Sequence, residues 1–333
     1  MSTLRQRAEE LGLAAVGIAP AICEVLCTYP WARSVVCAAI SYLPPHFDSR
    51  IHCGCCRPTD TVACGDLLSA NGVETERSRG LVARVARGAD YHTVLRERLG
   101  RLAQAISAEH PAARVEICVD TCALPERKLA VLSGIAWRGR NGNVFVEGCG
   151  SWVALGEIVT DVALERGVEP PQSRDRCGDC TLCIDACPTR AIIAPYEIDC
   201  SKCLSALTQS SGPIPPGLRP AMGNRIYGCD VCQEVCPQNA GIAPVTPEFG
   251  ECMFPGAHPE LLPLIGLGAR EFRETVARSS IGWIRRTRIR RNAAIAAGNL
   301  KCDAAIPALT ETLTDENPVL RETAEWAIKE IGG

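Results

Sequence analysis

The chain has 333 residues, 47% of them hydrophobic, with a net charge of −3 and a mean hydropathy of +0.05. That length predicts two or three domains with room to bury a large cofactor, and no apolar run approaches the eighteen or more residues of a membrane span. Aromatics are only 5% of the chain and the charge is not basic; this argues against a nucleic-acid platform of stacked rings and leaves any such contact to a local patch.

The opening MSTLRQRAEELGL has no apolar signal segment, so a cytoplasmic chain with reduced thiols is expected. Leu4 to Leu11 has helical spacing, and Ala14 to Ile18 reads as a short strand. Ser34 to Tyr42 is a continuous apolar run of strand length stopped by Pro44-Pro45. Residues 46–80 carry Cys53, Cys55, Cys56 and Cys64, compatible with a metal site, a redox-active dithiol or a loop without a role. Tyr91 to His110 alternates at helical period until Pro111, and Val115 to Val119 alternates as a strand ending at Asp120. Such alternation predicts an α/β or α+β fold, with a mixed sheet covered by helices across residues 1–170. A carboxylate at the carboxyl end of a strand sits where open α/β sheets bind ligands, which makes Asp120 a candidate. Its plain alternative is the N-cap of a helix over 121–132.

Residues 171–250 hold the densest signal. Cys177, Cys180, Cys183 and Cys187-Pro188 read C-x2-C-x2-C-x3-C-P, and Cys229, Cys232 and Cys236-Pro237 nearly repeat it. This is the spacing of a bacterial ferredoxin-like domain with two [4Fe–4S] clusters, in which the cysteine before proline serves the other cluster. Cys177, Cys180 and Cys183 would then pair with Cys236, and Cys229 and Cys232 with Cys187. The eighth ligand is Cys203, with Cys200 its competitor. Zinc suits paired C-x2-C as well, but eight thiolates exceed one zinc site.

From Ile284 onward the pattern becomes helical. Residues 251–333 form a third region whose last helices, around 292–299, 303–313 and 318–331, resemble a HEAT-type repeat too short to fold alone. Arg285, Arg286, Arg288, Arg290 and Arg291 precede them as a candidate phosphate-binding run.

Several stretches resemble epoxyqueuosine reductase, in order along the chain. They are Val85 to His92, Val119-Asp120-Thr121, Trp137 to Asn141, Gly150-Ser151-Trp152 with Leu155 to Ile158, the cysteine run, Gly223 to Asp230, and Arg291-Asn292-Ala293. The resemblance implies a cobalamin-dependent oxidoreductase that reduces the epoxide of epoxyqueuosine to queuosine at the wobble position of tRNA. Two clusters would feed electrons to cobalamin, which becomes a strong nucleophile as cob(I)alamin. It implies that Asp120 donates a proton to the departing oxygen, with a pKa raised beside an apolar corrin. It also places cobalamin contacts at Tyr42, Ala83, Asp120, Val144, Leu155, Ile158, Ser205 and Asp230, and nucleic-acid contacts on the arginine run. The chain has no Asp-x-His-x-x-Gly motif, as expected of a family without a protein ligand on cobalt.

The implied partners are the modified tRNA and an external low-potential electron donor. No membrane is implied, and a monomer is the default. Departures from the family pattern are Gln209-Ser210-Ser211, Ala136 before Trp137, and Cys122 beside Asp120. The competing readings are a cobalamin and iron–sulfur reductase acting on a small molecule, like a reductive dehalogenase, and a two-cluster electron carrier.

Overall fold

The computed structural model describes residues 2–43, 78–120, 123–166, 176–243, 246–249 and 256–333. Cys53, Cys55, Cys56, Cys64 and Cys122, singled out above, lie outside these residues. The described strands are β1 (Ala15–Pro20), β2 (Ser34–Ser41), β3 (Leu81–Val82), β4 (Val115–Cys118) and β5 (Ala136–Arg138), followed by β6 (Val144–Val146), β7 (Val153–Thr160), β8 (Ile192–Ala194), β9 (Glu197–Ile198) and β10 (Arg225–Tyr227).

The main sheet has the order β1-β2-β7-β4. Every neighbouring pair is antiparallel, with Ala15 opposite Ala39, Ser34 opposite Thr160 and Val115 also opposite Thr160. The expected mixed sheet is therefore corrected: among the described residues this sheet is antiparallel throughout. The sequence misled because all eight residues of β2 are buried, and a strand covered on both faces reads as one apolar run whichever way its neighbours point. Val36, Ala38, Ile40 and Ile158 face the Tyr91–Glu109 helix, where they pack with Leu95, Leu99 and Leu102. Val35, Cys37 and Val159 face the other way, against Leu129 of the Glu126–Leu132 helix. Side chains three residues apart on a strand point to opposite faces, which bears on the site below.

A second body of core joins the parallel β3–β10 pair to the end of the chain. Val82, Ala86, Ile226 and Tyr227 pack with Ile289, Ala293, Ala297, Leu309 and Ala327. The helices here are Arg285–Asn299, Ile306–Thr312 and Pro318–Gly332. The last begins where Asn317 accepts the Val319 amide at 2.9 Å and proline occupies the first turn, a favoured helix start. The small Ala293-Ala294-Ile295-Ala296-Ala297-Gly298 run is wholly buried, and a side chain on Gly298 would approach the Trp326 ring to 2.9 Å.

Two of the five predicted phosphate-binding arginines are spent inside this body. Arg291, 1% exposed, donates to the carbonyls of Leu207, Thr208, Ser210 and Gly212 and to the Asn292 amide oxygen. Arg290 donates to the Ile265 carbonyl and pairs with Asp315. Both are corrected from nucleic-acid contacts to structural groups, because a buried guanidinium must be fully hydrogen-bonded.

Replacing Arg291 with methionine strips several buried carbonyls of their donor at once. We expect a loss of about 3 kcal/mol of stability, seen as a lowered denaturation midpoint of the cluster-loaded protein. An unchanged midpoint would show that these carbonyls find other partners.

Candidate functional site

The cysteines come together across the two runs. Cys177, Cys180, Cys183 and Cys236 line one cavity of about 380 Å³, partly open to solvent, with Arg140 and Phe145 at its walls. The fourth thiol comes from the distant run, as the cross-over spacing predicts. The thiols stand around a space rather than closing on a point: among the described residues, no three His, Cys, Asp or Glu side chains gather tightly enough for a single metal ion. Burial raises Cys183 and Cys236, and the charges of the neighbouring cysteines raise them further. Thiolates so crowded need a cationic core between them, which iron in a cluster supplies. The donor set thus fits a [4Fe–4S] group.

A second group lies nearby. Burial pushes the Cys232 thiol up to about 12, and Cys229, Cys203 and Cys183 add to the shift. Cys203 sits in that electrostatic neighbourhood and is half-buried, whereas Cys200 is exposed. Burial would also raise Cys187, but amides of Ala191, Thr189 and Ile192 outweigh it and hold it low; the Ala191 amide donates to its sulfur at 3.2 Å. The turn between β5 and β6 touches both groups. The Arg140 amide reaches Cys177 Sγ at 3.5 Å, Asn141 donates to the Cys232 carbonyl, and Asn143 Nδ2 lies 4.0 Å from Cys232 Sγ. Hydrogen bonds to sulfur tune the potential of a cluster, and the sequence reading did not connect this turn with the thiols.

Beside the second group lies a buried polar network. Asp230, between Cys229 and Cys232 in sequence, accepts from the Arg84 amide at 2.8 Å and pairs with its guanidinium at 3.3 Å. The same guanidinium reaches Glu234 at 2.6 Å and lies over the Trp152 ring. Tyr42 donates to Gln233 at 3.3 Å and meets Trp152 edge-on. Ala83 precedes Arg84 and abuts Gly228, where a Cβ would come within 2.5 Å of the Ala83 methyl. Ser205 shares its helix, Leu204–Gln209, with Thr208, whose hydroxyl accepts the Gly228 amide. Tyr42, Ala83, Ser205 and Asp230 therefore gather around the second cysteine group, and Val144 follows Asn143 at its edge. Leu155 packs with Val144 on one face of the sheet. Ile158 lies on the opposite face and is fully buried, so it is corrected from a cofactor contact to a core residue.

Asp120 occupies the turn after β4, with φ of +54°, a conformation that aspartate tolerates better than most residues. The turn aims the carboxylate outward, where Tyr91 donates to it at 3.0 Å and His92 Nε2 lies at 3.3 Å. His92 Nδ1 in turn meets Asp90 at 2.8 Å, and Asp90 also caps the Tyr91–Glu109 helix by accepting the His92 amide. The next helix starts only at Glu126, with Pro125 before it, so Asp120 is not an N-cap. Instead its amide donates to Glu126 at 2.6 Å.

For the chain by itself the Asp120 pKa shifts downward. The hydrogen bond from His92 holds its carboxyl below the usual value, against the effect of burial, and Tyr91 assists. The rises fall on its neighbours. Partial burial disfavours the His92 cation, but hydrogen bonds to Asp120 and Asp90 outweigh it and lift His92 to about 9. Burial lifts Glu126 to about 7. The proton thus rests on the imidazole side of an Asp90–His92–Asp120 chain, a group that titrates as a unit. The adjacent residues Asp90-Tyr91-His92 were a legible signal, without a role until the fold set them against Asp120.

Two family models match the chain: "4Fe-4S double cluster binding domain" over residues 176–239, and "Epoxyqueuosine reductase QueG, DUF1730" over residues 24–121. An epoxyqueuosine reductase of Bacillus subtilis (strain 168) is 40% identical over 259 residues, covering 78% of this chain and 66% of that protein. The chain thus spans about two thirds of the length of the curated relatives that it matches. A crystal structure of epoxyqueuosine reductase with an epoxyqueuosine-modified tRNA-Tyr stem loop superposes with a TM-score of 0.84 at 32% identity, over 100% of this chain and 90% of that one. A Bacillus subtilis epoxyqueuosine reductase whose catalytic aspartate loop is swung out of the active site superposes equally well, at 31% identity and the same coverage.

The eighth ligand can be tested directly. Cys203→Ser should remove one cluster, lowering iron content and visible absorption by about half, while Cys200→Ser should leave both unchanged. The opposite pattern would exchange the two assignments.

Proposed function

The chain belongs to the epoxyqueuosine reductase family, and from that premise we propose that it reduces the epoxide of epoxyqueuosine to queuosine in tRNA. The observation that carries this reading is an outward carboxylate, Asp120, sharing a proton with His92, in a chain where four cysteines line one cavity and Cys203, Cys229 and Cys232 lie within electrostatic reach of one another. Opening an epoxide to an alkene takes up an electron pair and a pair of protons and releases water. The thiol groups fit the electron side and the Asp120–His92 pair fits the proton side.

In this reading Cys177, Cys180, Cys183 and Cys236 hold one [4Fe–4S] cluster, and Cys187, Cys203, Cys229 and Cys232 hold the other. An external low-potential donor supplies the electrons. Tyr42, Ala83, Val144, Leu155, Ser205 and Asp230 are proposed to border a cobalamin. Tyr42, Ala83, Val144 and Leu155 each keep between 5 and 8% exposure, as suits residues just beneath a bound apolar face, while fully buried Ile158 does not fit. When bound, the corrin supplies a strongly reducing, nucleophilic metal.

The chain's own task is to place and move protons. Asp120 Oδ2 accepts from both Tyr91 and His92, which fixes the carboxylate and keeps a proton at hand. The departing oxygen takes its proton from this pair, with Asp120 nearest solvent and His92 as the reservoir behind it. Arg285, Arg286 and Arg288 remain as proposed phosphate contacts, since Arg285 is exposed and the other two are partly so. The last three helices are proposed to be HEAT-like.

Asp120→Asn should abolish conversion of epoxyqueuosine in tRNA, measured by nucleoside digestion and mass spectrometry, with both clusters still bound. If wild-type protein, loaded with cobalamin and reductant, converts no such tRNA, the reading is wrong. His92→Asn should lower turnover about a hundredfold.

The pH dependence follows from the raised His92 pKa. The folded chain holds this proton more tightly than the unfolded chain, whose histidine has its ordinary value of 6.5. The contribution to stability is therefore full below pH 6.5 and is lost as pH rises through about 9. Asp90, Tyr91, Glu126 and Arg127 surround the pair. Turnover should fall over the same upper limb, and that limb should be absent in the residual activity of His92→Asn.

A further inference from the structure

Four of the five tryptophans carry an arginine against the ring. Arg114 lies 4.3 Å from the Trp31 ring centroid, Arg84 4.7 Å from Trp152, Arg219 5.2 Å from Trp326 and Arg176 5.7 Å from Trp137. Trp283 differs. It is 51% exposed, and among the described residues its aromatic neighbour is Tyr227, edge-on, with centroids 6.5 Å apart and planes at 87°. Its indole N–H is already used, donating to the Tyr227 hydroxyl at 3.1 Å. An anchored edge with a large solvent-facing area is a poor use of an indole in an isolated protein and a good one in a recognition surface.

The position of this ring is fixed from behind. Ser280 donates to the carbonyls of Ala86 and Gly88, which ties the segment to the loop leading into Asp90-Tyr91-His92. At Gly282 the chain packs so closely that a Cβ would meet the Ala277 carbonyl oxygen at 2.5 Å. Tyr227 connects the ring to the site: its hydroxyl accepts the Trp283 N–H, and its strand β10 pairs with β3, whose chain runs on through Ala86 and Gly88 to Asp90-Tyr91-His92.

Just beyond, Arg285 has φ of +70° and ψ of 158°, a region almost reserved for glycine and strained for a residue with a side chain. Such strain is kept where its surroundings or a function demand it. Here it redirects the chain from the Trp283 turn into the helix that carries Arg285, Arg286 and Arg288.

We propose that Trp283 is a stacking platform for a tRNA base next to the one that reacts, at the rim of the Asp120 site. This deepens the function proposed above and rests on it. A base that leaves a loop to enter a pocket takes a stacking partner away from its neighbour. A rigid indole replaces that partner, and the arginines that follow hold the backbone phosphates. One placed ring suffices, so the low aromatic content is no obstacle.

The test uses a tRNA anticodon stem-loop with 2-aminopurine on either side of the wobble position, bound to cluster-loaded protein. Stacking quenches this base. Wild type and Trp283→Phe should quench it. Trp283→Ala and Trp283→Leu should bind about ten- to a hundredfold more weakly, and at saturation should leave the fluorescence high. Their cluster absorption and melting should match wild type, and the salt dependence of binding should stay the same, since no phosphate contact is lost. Quenching and affinity unchanged in Trp283→Ala would overturn the proposal. So would a wild-type protein that reduces the free modified nucleoside but binds no stem-loop. A protein that binds and quenches the stem-loop but converts no epoxyqueuosine would leave the platform standing and overturn the reductase reading instead.

Discussion

The buried Arg291–Asn292 pair holds the terminal helices to the cysteine-bearing region. Arg291 serves carbonyls at 207–212, and Asn292 Nδ2 donates to Thr208 at 2.8 Å and Ile226 at 2.7 Å. These carbonyls belong to the segments that carry Cys203 on one side and Cys229 on the other. Burial lowers the Arg291 pKa to about 10, still far above neutrality, so the guanidinium stays charged and must be satisfied. The carbonyls answer that need, and in doing so they fix the loop between the two cysteine runs. The terminal helices thus act as a clamp on the cluster region rather than as an appendage.

Everything near the Asp120 carboxylate follows from the same clamp. Ile226 is held by Asn292, so Tyr227 and Gly228 next to it are placed as well. Gly228 lies against Ala83, and the Gly228 amide is fixed by Thr208. The strand pair β3–β10 then sets the course of residues 83–90, which end in the Asp90 cap and bring His92 to Asp120. The Asp120–His92 group and the cysteines that follow β10 are therefore both positioned through one short parallel ladder. Each group has a different electrostatic character. The thiols sit low in apolar surroundings that favour a compensating metal core, whereas Asp120 sits outward, with its charge balanced by a histidine.

The cysteine spacing was legible because cluster geometry imposes short, fixed intervals that survive in any fold. Asp120 was legible as a strand terminus, but its environment was not. Its pKa depends on His92, 28 residues away in sequence, and no local pattern says that a helix cap and a strand end will meet. The direction of the β-strands was hidden for a similar reason, since β2 is covered on both faces and periodicity then carries no information about its partners. Among the arginines the run itself was visible and its division was not. Arg290 and Arg291 turn inward, while Arg285 stays out, because only the helix phase decides which faces the core. Leu155 and Ile158 fail as a pair for the equivalent reason in a strand.

A residue count could not have found Trp283 either, because its meaning lies in what its neighbours leave uncovered. Composition argues against rows of stacked rings, and among the described residues the structure has none on its surface. It has one indole pinned at its edge, a strained arginine behind it and a carboxylate within electrostatic reach. If strain at Arg285 were an accident of folding, nothing would oblige it to sit at the joint between an exposed ring and a cationic helix. Placing it there turns the Arg285–Asn299 helix so that its outer arginines and the Trp283 ring meet solvent beside the same site. Its inner arginines close the clamp. One helix thereby serves both the interior, through Arg290 and Arg291, and the proposed nucleic-acid face, through Arg285, Arg286 and Arg288.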